Sequence, residues 1–191
     1  MGNQHPKKTT PTVLTNEEIN MLKENTEFTE KEIREWHANF IRDCPTGRID
    51  RKKFSEFYKQ FCPDGKVESY CKHAFTTFDK NNDGAIDFEE FLLAIAATSQ
   101  GSIDTRLAFA FDVYDISDDG LIDEAELTTI ISAMFDLVGE ADRKGTDDPK
   151  KLAENIIENL DLDGDKKLNK VEFINGCKND KSLRRLLVPN I

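Results

Sequence analysis

The sequence predicts an all-α protein: four helix–loop–helix units, paired into two lobes, with a short antiparallel bridge joining the loops of each pair. Two observations carry this. A twelve-residue loop pattern recurs with starts at 42, 79, 115 and 161, intervals of 37, 36 and 46 residues, and apolar residues flank the loops at i, i+3, i+4 spacing. The eighth place of every loop is aliphatic: Ile49, Ile86, Ile122 and Leu168. One such unit cannot bury its own apolar face, whereas two side by side can. The eighth places then pair Ile49 with Ile86 and Ile122 with Leu168.

The loop DKNNDGAIDFEE, Asp79 to Glu90, defines the pattern. Oxygen-bearing side chains stand first, third, fifth, ninth and twelfth: Asp79, Asn81, Asp83, Asp87 and Glu90. Gly84 is sixth, where a sharp turn needs positive φ. Ala85, seventh, offers only its carbonyl. This is the ligand spacing of an EF-hand calcium loop, in which a hard dication collects six to eight oxygens by having a short chain wrap around it. A lone acidic turn reads as solvated surface; agreement at seven places, repeated along the chain, favours metal.

From the amino terminus, residues 1–14 read as a flexible arm. Gly2 after Met1 is a candidate N-myristoylation site. Pro6, where the motif wants Ser or Thr, argues against modification, while Lys7 and Lys8 suit an anionic membrane surface. Residues 15–98 form the amino-terminal lobe. Thr15 with Glu18 and Thr29 with Glu32 are capping boxes, and Ile33, Trp36, Phe40 and Ile41 follow at helical spacing. The first loop keeps Gly47 and Ile49, but Arg42 is first, Cys44 third and Lys53 twelfth, and Pro45 restricts Cys44. It is not expected to bind a dication, only to support the second loop. Residues 99–102 read as a hinge.

The carboxy-terminal lobe, 103–179, holds DISDDGLIDEAE, with ligands Asp115, Ser117, Asp119, Leu121 through its carbonyl, Asp123 and Glu126. A polar stretch, Gly139 to Lys150, precedes a helix start at Asp148–Pro149. In DLDGDKKLNKVE the ligands are Asp161, Asp163, Asp165, Lys167 through its carbonyl, Asn169 and Glu172. Its sixth place is Lys166, and positive φ at a non-glycine residue costs on the order of 1 kcal/mol. Calcium is expected in the second and third loops, and in the fourth a weaker or slower site, with Mg²⁺ as competitor. Residues 180–191 form a last helix, capped by Asp180, and an apolar tail that is a candidate plug for a groove.

Composition narrows the function. The net charge of −11 argues against a nucleic-acid partner. Four cysteines without a CxxC and three histidines do not make a zinc site, and free thiols fit a reducing cytoplasm. No apolar run reaches the ~20 residues of a membrane span. No nucleophile–base pair or phosphate loop points to an enzyme.

Over nearly its whole length the chain resembles the neuronal calcium sensor family, which includes recoverin, frequenin, neurocalcin and hippocalcin. The resemblance rests on the Gly2 terminus, on FTEKEIREWHANFIRDCPTG with its Cys-Pro-disabled first loop, on TFDKNNDGAIDFEEF, and on the long gap before the fourth hand. It implies a calcium-opened amino-terminal crevice that takes an apolar helix from a target protein, and in some members a myristoyl switch that brings the protein to membranes. By position the crevice residues are Phe28, Trp36, Phe40, Phe54, Tyr58, Phe61, Phe88 and Ile95, which are also the apolar faces of the first two hands. The competing functions are a calcium buffer, whose lobes barely open, and a constitutive regulatory subunit of an enzyme or channel.

Overall fold

The computed structural model describes residues 13–138 and 148–188. The expectations for Gly2, Pro6, Lys7 and Lys8, for most of the polar stretch before the fourth hand, and for the last three residues lie outside them. Ten helices occur among the described residues: α1 Asn16–Asn25, α2 Glu30–Asp43, α3 Arg51–Phe61, α4 Val67–Phe78, α5 Phe88–Ser99, α6 Ile103–Tyr114, α7 Glu124–Val138, α8 Pro149–Leu160, α9 Lys170–Asn179 and α10 Lys181–Leu187. Helices α2–α3, α4–α5, α6–α7 and α8–α9 are the four hands.

Local chemistry sets the helix starts. Both capping boxes form: Thr15 Oγ1 accepts from Glu18 N at 3.2 Å and Glu18 Oε2 from Thr15 N at 2.8 Å, with the same exchange between Thr29 and Glu32. Asp148 caps α8 with Pro149 in its first turn, and Asp180 caps α10. Each cap satisfies amide donors that a helix start leaves without a partner.

The loop bridges pair as the eighth-place rule predicts. Ile49 and Ile86 exchange two backbone hydrogen bonds of 2.9 Å. In the other lobe β1, Leu121–Ile122, runs antiparallel to β2, Leu168–Asn169, with Ile122 opposite Leu168. All four eighth-place side chains are buried.

The lobes pack against each other, which the expected hinge did not foretell. Helix α4 lies on α6 and α7, and α5 lies on α6. Phe78 meets Phe109 edge-on at 5.6 Å, Thr77 Oγ1 donates to the Asp112 carbonyl at 3.2 Å, and Lys66 N donates to the Asp136 carbonyl at 2.8 Å. Gly65 permits that last contact: a Cβ there would sit 1.9 Å from the Leu137 carbonyl oxygen. Helix α5 is apolar on nearly every face because other helices cover it on several sides. Between α5 and α6, Gly101 N bonds the Ala96 carbonyl and Gln100 Oε1 accepts from Glu27 N. The described part of the tail rests on α9 in the carboxy-terminal lobe, where Leu187 is buried and its carbonyl accepts from the Tyr114 hydroxyl. It does not enter the aromatic face of the amino-terminal lobe.

Candidate metal centres

The second, third and fourth loops share one hydrogen-bond scheme. The first-place aspartate folds the turn over itself: Asp79 accepts from Asp83 N and Gly84 N, both at 3.0 Å, Asp115 from Asp119 N and Gly120 N, and Asp161 from Gly164 N and Lys166 N at 2.7 and 2.8 Å. The fifth-place aspartate accepts from the seventh-place amide in all three. The ninth-place side chain caps the exiting helix by accepting from the twelfth-place amide. The twelfth-place glutamate reaches back across the loop. Glu90 Oε1 accepts from Asn81 N and Oε2 from Asp87 N. Glu126 does the same with Ser117 N and Asp123 N. Glu172 takes Asn169 N but Leu162 N, one residue earlier in its loop.

Each of these loops contains two left-handed residues, at the fourth and sixth places: Asn82 and Gly84, Asp118 and Gly120, Gly164 and Lys166. Lys166 has φ +63°, the strain its sequence position implied. The fourth loop therefore carries its glycine two places earlier than the others and still makes one glycine and one non-glycine turn. Its three aspartates converge, with carboxylate oxygens within 4.8 Å of one another.

The donors are carboxylates, an amide or hydroxyl oxygen, and a carbonyl, the all-oxygen set that Ca²⁺ prefers and that zinc or copper does not. Glu90 and Asp79 are buried at 8% and 3% exposure. Burial raises the Glu90 carboxyl above its ordinary range and the neighbouring Asp87 and Asp79 add to this, against two backbone hydrogen bonds. A dication at the loop centre would remove that penalty. Backbone donors, the Lys166 amide first, hold the Asp161 carboxyl below the ordinary range. The residues fit calcium.

The first loop separates what the backbone needs from what the metal needs. Gly47 keeps positive φ at the sixth place, Ile49 keeps the bridge, and Asp50 keeps the ninth-place cap, accepting from Lys53 N at 2.8 Å. The metal-specific places are lost. Arg42 bonds Asp43, and Lys53 lies over the Phe57 ring and near Glu56.

The expected crevice residues divide. Phe28, Trp36, Phe40 and Phe88 join through Phe91 in one aromatic row: Phe28 to Trp36 at 6.1 Å, Trp36 to Phe91 at 6.0 Å, Phe91 to Phe40 at 5.3 Å and Phe40 to Phe88 at 5.5 Å. Phe54 and Tyr58 belong to a second cluster with Phe75, Phe78 and Tyr70. Phe40, Phe54 and Phe88 are buried core, Ile95 is half-buried, and Phe61 is 84% exposed. Sequence reasoning places Phe91 with Phe88 on the exiting helix of the second hand but leaves it out of the crevice set. It also missed a cleft of about 980 Å³ beside the second loop, lined in part by Leu22, Ile41, Leu93 and Phe109.

Comparison with known proteins identifies the same kind of hands in the sequence. A family model described as an EF-hand domain pair matches residues 104–178, and an EF hand domain model matches 70–98. The chain is 43% identical over 173 residues to "Neuronal calcium sensor 1" of Aplysia californica, covering 90% of this chain and 91% of that one. It is 36% identical over 178 residues to "Recoverin" of Homo sapiens, covering 91% and 89%, and 31% identical to "Visinin" of Gallus gallus over 91% and 93%. The chain belongs to the neuronal calcium sensor family: it is an EF-hand calcium sensor and not an enzyme.

Proposed function

We propose that calcium occupies the second, third and fourth loops through the residues named for each, and that the second loop couples calcium to a protein target. The first loop takes no metal, and Mg²⁺ competes at the live loops. The observation that carries the coupling is the position of Glu90. Its two oxygens span the loop from Asn81 to Asp87, and it lies in the first turn of α5. Phe88 and Phe91, on either side of it, pack on Phe40 and Trp36. A metal that draws Glu90 inward moves the start of α5 and with it the aromatic row. Opening that row offers an apolar face to an amphipathic helix of the target. The 15–98 and 103–179 units act as the two lobes, in the cytoplasm. Membrane contact through Gly2, Lys7 and Lys8 belongs to the same reading. No helix among the described residues is long and apolar enough to cross a membrane.

The test uses Trp36, the only tryptophan. Calcium should shift its emission and raise the binding of an apolar dye, and Glu90→Gln should abolish both changes. A wild-type protein that binds calcium with neither response is a buffer, and the coupling fails.

A further inference from the structure

The disabled first loop reaches into the live second one. Arg48, at its seventh place, donates from Nη2 to Asp83 Oδ1, the fifth-place ligand across the bridge. The other lobe repeats the arrangement. Lys167, seventh in the fourth loop, stands with Nζ 3.4 Å from Oδ2 of Asp119, fifth in the third loop. The reciprocal seventh places, Ala85 and Leu121, carry no charge, so each pair sends a cation one way only. The two cases differ in the oxygen used. Asp119 Oδ1 accepts from its own loop, at Leu121 N, and leaves Oδ2 for Lys167. Asp83 Oδ1 accepts from both Ala85 N and Arg48.

We infer that Arg48 is a built-in competitor for calcium at the second loop, so that the first loop sets the calcium threshold of the second as well as bracing it. This rests on the reading that the second loop binds calcium. A guanidinium on Asp83 offsets part of the charge the dication seeks, and when calcium binds it stands as a like charge near the ion. It cannot be switched off by pH, because arginine stays protonated. An ordinary surface ion pair would contribute little to stability. The consequence here lies in the ligand it holds. Arg48 and Asp83 side chains are 31% and 42% exposed, so solvent screens the effect to an expected change of about three- to tenfold in affinity.

Calcium titration by calorimetry of the full chain, with Glu126→Gln and Glu172→Gln to silence the other loops, tests this. Arg48→Gln should tighten the remaining site about three- to tenfold, Arg48→Lys should lie between, and the gap should shrink in high salt. Calcium should also raise the thermal midpoint of Arg48→Gln more than that of the wild type, since the variant binds it more tightly. Unchanged or weaker binding by Arg48→Gln overturns the inference. A separate Glu90→Gln titration isolates the parent reading: if it removes no component, the second loop is not a site and both fall.

Discussion

The two loop pairs are built alike and differ in where charge sits. In the carboxy-terminal pair both loops carry a full oxygen set, and a two-residue ladder joins them. In the amino-terminal pair a single bridge joins a loop with a full oxygen set to one whose first and twelfth places are Arg42 and Lys53. Yet Gly47, Ile49 and Asp50 still turn, pair and cap as their counterparts do. The shape of the loop and its set of ligand oxygens therefore rest on different residues. A loop can lose the second and remain a structural partner.

The largest way to break the comparison is to disable the second loop. Glu90→Gln should remove one calcium equivalent from a calorimetric titration and leave the protein folded; an unchanged stoichiometry would mean the loop never bound. Next in size is the contact between lobes. Gly65→Ala would press a methyl group into the Leu137 carbonyl and should cost about 2–3 kcal/mol in denaturant unfolding. A cost under a few tenths would show that the lobes separate freely at this point.

Lys166→Gly sharpens the comparison among the three loops with full oxygen sets. It relieves a positive φ and should tighten the fourth site by less than about 1 kcal/mol, read as a shift in its calcium midpoint. No shift would mean that the Asp161 hydrogen bond to the Lys166 amide already compensates.

The smallest effect is pH. Since the folded Glu90 carboxyl titrates above its unfolded value, the metal-free protein binds an extra proton there. The part of its stability that Glu90 contributes should fall as pH rises from about 4.5, the model-peptide range, through that raised value, and calcium should reverse that part by preferring the charged form. Calcium binding should accordingly release protons, measurable from the buffer dependence of the binding heat. Glu90→Gln should remove both effects.

Much of this was legible before the structure because EF-hand geometry is local. A twelve-residue loop names its own ligands, its turn and its bridge residue, and Thr15, Thr29, Asp148 and Asp180 announce the helices that follow. The aromatic residues were harder. Phe40, Phe54 and Phe88 look equally suited to core and to a target face, and helical spacing alone does not say which neighbours cover them. Phe91 was legible as a residue of the exiting helix but not as a crevice residue, because its partner Trp36 lies more than fifty residues away in sequence.

By itself, then, the sequence determined four hands, three of them with calcium-type oxygen sets, and the pairing of their loops, since each depends on residues a few places apart. Only the tertiary structure decided that α4 seats on α6 and α7, that the tail helix rests on α9, and that Arg48 bonds Asp83. Those contacts join distant segments across a shared surface, and their formation depends on shape, such as the missing side chain of Gly65, that no local spacing records.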